Sequence, residues 1–224
     1  MSAEQGGVAI PTPRPLKARL RFERLPAAYC HPERIQRLLP DGLPAQFRDR
    51  LLASTRLRFR LSSILAERHA LQACGPDMLA TPAGRFAQLE GEVLQSALRR
   101  IGAIWHARTL RTFILAEPLR QLMDRLGRDN YQAALRSIDL APETAPDETD
   151  DGDRSPDADR LVDLIERDGL IAVNAWCHQQ PAALGARLKL KLRPCPEVDG
   201  EPPASLRELG PKIVDRVAME IAHG

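Results

Sequence analysis

The sequence predicts a mainly α fold: a single helical domain in which a small two-stranded β ribbon joins the N- and C-terminal segments. The apolar fraction is 43% but the aromatic fraction only 4%. The core is therefore built mostly from Leu, Ala, Ile and Val, and Leu and Ala are strong helix formers. Between residues 84 and 115, Phe86, Leu89, Val93, Leu94, Ala97, Leu98, Ile101, Ile104 and Trp105 recur at three- and four-residue spacing, the period of a helix with one apolar face. Two short segments break that rule by alternating apolar and cationic residues, the period of a half-buried strand.

The elements follow in order. Residues 1–15 are Gly/Pro-rich and polar and read as a disordered tail. Leu16 to Glu23 alternates strictly and reads as the first strand, ended by Leu25-Pro26. Pro32 suits the first position of a short helix that Pro40-Asp41-Gly42 closes. A helical region starts near Pro44, with Phe47, Leu51 and Leu52 on one face. Residues 55–61 alternate again, but the flanking leucines favour one long helix through them. After a break at Cys74-Gly75-Pro76-Asp77 comes the long helix, from about Gly84 to Leu115. Pro118 opens the next, Leu119–Leu126, and Asp129 caps another, Asn130–Ile138.

Residues 141–157 hold seven acids, one base, three prolines and no aliphatic residue larger than Ala. Such a segment buries too little surface to offset its ordering entropy, so a disordered acidic loop is expected inside the domain 16–224. A helix follows from about Ala158 to Cys177. Arg187-Leu-Lys-Leu-Lys-Leu-Arg193 is the natural partner of the first strand, its Leu face lying on the helices. Ser205-Leu-Arg-Glu208 has the form of a capping box before the last helix, with Gly210-Pro211 as a kink or restart.

Composition narrows the function. No stretch approaches the roughly 20 apolar residues of a membrane span, and the N-terminus lacks a basic start followed by an apolar run. Both point to the cytoplasm. Cys30, Cys74, Cys177 and Cys195 are too scattered for a disulfide scaffold. Residues 1–140 carry 22 Lys and Arg against 13 Asp and Glu, a net of +9; residues 141–224 carry 10 against 17, a net of −7. Nucleotide-binding glycine loops, the nucleophile elbow and the zinc-protease motif are all missing, so neither an enzymatic activity nor a cofactor is expected. Cys30-His31 and Cys177-His178 together have the makings of a zinc site, but adjacent ligands are not its usual spacing. Arg48, Arg56, Arg58 and Arg60 form a basic run, and Arg19 and Arg21 another on the first strand. Few aromatics and an acidic second half argue against nucleic acid and for protein partners. These six arginines are the candidate partner-binding residues.

The segment Arg21-Phe-Glu-Arg-Leu-Pro-Ala-Ala-Tyr-Cys-His-Pro-Glu-Arg-Ile35 resembles the N-terminal signature of the type III secretion protein SctK, the YscK/PscK family. Residues 98–122 resemble its central helical block, with Gly102, His106 and Leu115-Ala-Glu-Pro-Leu119 in order. Trp176 and Arg187–Pro194 resemble its closing block. The resemblance implies a cytoplasmic adaptor of the sorting platform, peripheral to the inner-membrane apparatus. It would link the cytoplasmic domain of the ring protein SctD to pods of SctQ, alongside SctL and the ATPase SctN. The alternatives are another helical secretion chaperone or regulatory partner, or a zinc- or nucleic-acid-binding regulator.

Overall fold

Among the described residues the chain is helical, with no strand. The structure, a computed structural model, describes residues 16–40, 42–113, 116–143 and 158–223. The expected tail and all but the first three residues of the acidic segment lie outside them. The first half runs α1 (Leu16–Arg24), a 3-10 turn (Pro26–Ala28), α2 (Pro32–Gln36), α3 (Ala45–Ala53), α4 (Thr55–Arg68), α5 (Pro76–Ala80), α6 (Pro82–Ala87) and α7 (Gly91–Trp105). The second half runs α8 (Ala107–Leu110), α9 (Ala116–Leu126), α10 (Arg128–Arg136), a 3-10 turn (Ile138–Leu140), α11 (Ala158–Gln179), α12 (Ala182–Lys191), α13 (Pro196–Asp199) and α14 (Ala204–His223).

The ribbon expected from 16–23 and 187–193 is replaced by α1 and α12. A two-stranded ribbon leaves the outer edge of each strand without backbone partners, whereas a helix satisfies its own. The alternation misled because it assumed that every cation faces water. In α12 the leucines are buried, and so are Arg187 and Lys191, at 3% and 5% exposure. In α1 Phe22 is buried while Leu20 is exposed, so the alternating residues do not share a face.

The long helix of 84–115 is three helices. Gly91 takes a left-handed φ of 54°, which favours glycine and lets α7 restart after α6. His106 separates α7 from α8. Val93, expected in the core, is exposed. The region 44–68 bends at Ser54 into two helices instead of one. Helix α10 begins at Arg128, so Asp129 sits in its first turn, where its charge suits the helix dipole, and Gly127 precedes it. Helix α14 begins at Ala204, which places Ser205 inside it and leaves no Ser205 N-cap. It continues through buried Pro211 without a restart. Proline lacks the N–H that would reach the Arg207 carbonyl. Gln179 Nε2 donates to that carbonyl instead, at 3.4 Å.

Helix α11 is the centre, packed chiefly by α7 and α14, with α12 and α9 also against it. The α7–α11 crossing is backbone on backbone. A Cβ on Gly102 would stand 1.9 Å from the Ile165 carbonyl oxygen, and one on Gly169 2.2 Å from that of Leu98. Only glycine fits at either position. Trp176, fully buried on α11, meets Phe86 edge to face at 5.5 Å and donates from Nε1 to Asp215 Oδ1 at 2.7 Å. A smaller apolar cluster of Ala27, Cys30, Ile35, Leu61, Leu65 and Leu190 fastens α2 and α4 to α12.

Candidate interaction surface

Two groups of cations stand out among the described residues. The first is internal. Arg187 Nη1 donates to the carbonyls of Phe22 and Glu23 at 3.2 and 3.0 Å and to the Tyr29 hydroxyl at 3.3 Å. Its Nη2 donates to the Gln72 carbonyl at 2.9 Å. Lys191 Nζ donates to the Leu89 carbonyl at 2.8 Å and lies 4.9 Å from the ring centres of both Phe22 and Tyr29. Those rings stack at 5.2 Å. Burial pushes the Tyr29 hydroxyl up to about 12, which keeps it a neutral donor, here to the Phe22 carbonyl at 2.9 Å. His31 N–H donates to the Leu190 carbonyl and Arg34 Nε to that of Leu192. The Pro-Ala-Ala-Tyr-Cys-His stretch is thus a structural clasp: it holds α1 and α2 on α12.

The second group is on α3 and α4. Arg50, Arg56, Arg58, Arg60 and Arg68 are exposed, and none forms an ion pair among the described residues. Elsewhere arginines are commonly matched, as in Arg34 with Asp199 at 2.7 Å and Arg99 with Glu166 at 2.7 Å. Helix α4 buries Leu61, Ser62 and Leu65. Ser62 Oγ accepts from the Ala27 N–H and donates to the Arg58 carbonyl, which fixes that face inward. The opposite face presents Arg56, Phe59, Arg60 and Ser63 at i, i+3, i+4 and i+7.

The six expected residues are therefore not one patch. Arg56 and Arg60 share the outward face, but Arg58 is turned about 200° from Arg56, one turn before Ser62 and in line with the inward face, though itself exposed. Arg48 belongs to α3, with its side chain outside those described. Arg19 is half-buried on α1. Arg21 is spent internally, donating to the Ala28 carbonyl at 2.9 Å and pairing with Glu90 at 3.5 Å. What sequence reasoning missed is the apolar part of the surface: Phe47, Leu51 and Phe59 are exposed. Phe47 and Leu51 stand at i, i+4, which reads in sequence as a core-facing stripe.

No group of three or more His, Cys, Asp or Glu that could hold a metal occurs among the described residues. His31 Nδ1 accepts from the Glu33 N–H at 3.4 Å, so it caps α2. Burial pushes the Cys30 thiol up to about 11 and the Cys177 thiol up to about 12, the opposite of an activated thiolate. The buried polar pair of the centre, His106 Nε2 and Asp168 Oδ2 at 2.8 Å, is closed off from solvent at 3% exposure on each side chain. No helix among the described residues is long and apolar enough to cross a membrane.

The chain is similar to two curated relatives, both nodulation protein NolU, one from Rhizobium fredii and one from Sinorhizobium fredii (strain NBRC 101917 / NGR234). Each is 29% identical over 185 residues, covering 78% of this chain and 78% of the relative. No solved structure matches the chain. Residues 18–211 match the family described as YOP proteins translocation protein K. That span takes in the clasp, the α7–α11 crossing and α12, and the chain belongs to the YscK family of type III secretion proteins.

Proposed function

We propose that this protein is a non-enzymatic adaptor of the type III secretion sorting platform. It would link the cytoplasmic domain of the inner-membrane ring protein SctD to the SctQ pods, beside SctL and the ATPase SctN, at the cytoplasmic face of the inner membrane. The observation that carries the reading is the pair α3–α4: exposed arginines without an ion pair among the described residues, beside large apolar side chains left in solvent. Arg and aromatic side chains are the residues that dominate protein–protein interfaces. Charges of one sign steer a partner and set register more than they add affinity.

Co-purification tests this. The full chain, mixed with the SctD cytoplasmic domain and SctQ of the same secretion system, is expected to bridge them in one complex on size exclusion. Raising salt is expected to slow assembly. Capture of neither protein would overturn the adaptor reading.

A further inference from the structure

Four of the seven large apolar side chains left exposed among the described residues lie on α3 and α4: Phe47, Leu51, Phe59 and Ile64. Phe47 and Phe59 are 53% and 56% exposed. Residues 45–68 carry six arginines against only Asp49 and Glu67. Two independent signals, uncovered apolar area and exposed arginines with no ion pair among the described residues, coincide on adjoining helices that Ser54 alone separates.

We propose that the outward faces of α3 and α4 dock an acidic amphipathic helix of another protein. The apolar stripe of that helix would lie on Phe47, Leu51 and Phe59, and its flanking carboxylates would meet Arg50, Arg56 and Arg60. The guanidinium fork pairs with a carboxylate through two parallel hydrogen bonds, and its stem adds apolar contact beside Phe59. An anionic membrane fits less well. Arg56 and Arg60 stand on the same stripe as Phe59, so seating Phe59 among acyl chains would drag both guanidinium groups in, whereas membrane-surface helices keep their cations on the polar face. Nucleic acid fits less well too, because the aliphatic Leu51 and Ile64 have no counterpart in a phosphate backbone. The inference rests on the adaptor reading and names the chemistry of the partner.

The experiment titrates the full chain into a fluorescein-labelled designed helix of about 18 residues, five turns, with a Leu stripe flanked by Glu, followed by fluorescence anisotropy. Phosphatidylglycerol vesicles and duplex DNA are run alongside, and the SctD and SctQ captures are repeated with each variant. Arg56→Glu with Arg60→Glu is expected to weaken peptide binding about tenfold or more, as is Phe59→Ala. Arg58→Glu, which changes the same kind of charge away from the outward face, is expected to cost several-fold less. Unchanged circular dichroism of these exposed-site variants separates binding loss from unfolding. Equal losses from all three arginines would reduce the surface to net charge and overturn the proposal, as would tighter binding to vesicles or DNA than to the peptide. If SctD or SctQ is captured undiminished by the variants, the adaptor reading stands and the docking face is elsewhere. If neither is captured, the adaptor reading falls and the peptide titration alone decides the surface.

Discussion

His106 Nε2 stands 2.8 Å from Asp168 Oδ2 at the end of the α7–α11 crossing, one turn beyond the contact of Gly102 with the Ile165 carbonyl. Arg167 Nε holds the other carboxylate oxygen at 2.9 Å. Burial by itself would raise the Asp168 carboxyl, but the hydrogen bonds from His106 and Arg167 outweigh it and hold the group below its ordinary range.

Folding therefore loosens the hold of Asp168 on its proton. Its contribution to stability is complete above the ordinary carboxylate value, near pH 4, and is lost as pH falls through the lowered folded value. Thermal melts from about pH 5 to about pH 3 are expected to show a smaller fall in midpoint for Asp168→Asn than for the parent. At neutral pH, His106→Ala, which strips a partner from a buried charge, is expected to cost about 3 kcal/mol. A parallel acid limb in parent and Asp168→Asn would refute the assignment.

The glycines of the crossing give a second expectation. A Cβ at Gly102 or Gly169 has to displace a carbonyl of the facing helix, and backbone does not swing aside as a side chain does. Gly102→Ala and Gly169→Ala are each expected to destabilise by about 3 kcal/mol or more in urea unfolding. Alanine at exposed Gly75, where a Cβ would meet nothing within 4 Å, is the matched control and is expected to stay within about 0.5 kcal/mol.

Arg187 is the hub of the clasp. Replacing it with Met keeps the apolar stem but takes the donor from three carbonyls and the Tyr29 hydroxyl. A loss of about 2–4 kcal/mol is expected in urea unfolding. Protease digestion is expected to nick first near residues 16–30, since their anchor is gone. Nicking that begins in α7 or α11 would contradict the clasp.

Thiol reactivity should follow burial. Cys30, Cys74 and Cys177 are buried and burial raises each thiol, while Cys195 is half-exposed. With a chromogenic disulfide reagent near pH 8, Cys195 is expected to react first and the others at least about tenfold more slowly until denaturant is added. Peptide mapping that finds Cys177 labelled first would show a much looser packing of α11.

Much of the helical order could be read from spacing alone, because α7 and α11 bury residues at three- and four-residue intervals over many turns. The short alternating segments could not. Leu-Lys-Leu-Lys has period two in sequence, but the choice between strand and helix turned on whether Arg187 and Lys191 would meet water or carbonyls 100 or more residues away. No local rule contains those carbonyls. The basic run at 56–60 was legible as charge, yet three arginines at every second position cannot share a helix face, so the ambiguity about 55–61 carried straight into the site. The exposed Phe47 and Phe59 were hidden for the converse reason: an apolar stripe looks the same whether it covers a core or waits for a partner.

The clasp also sets an order of events during synthesis. The Phe22 carbonyl and Arg187 are 165 residues apart in the chain, and Arg34 and the Leu192 carbonyl 158. At about 5–20 residues per second, the stretch from 22 to 34 leaves the ribosome roughly 8–33 s before the helix that covers it. During that interval Phe22 and Tyr29 have no α12 to close over them. The 22–34 segment is made early and finished late, so a nascent chain stopped before α12 presents it open to whatever chaperone or misfolding partner is nearest.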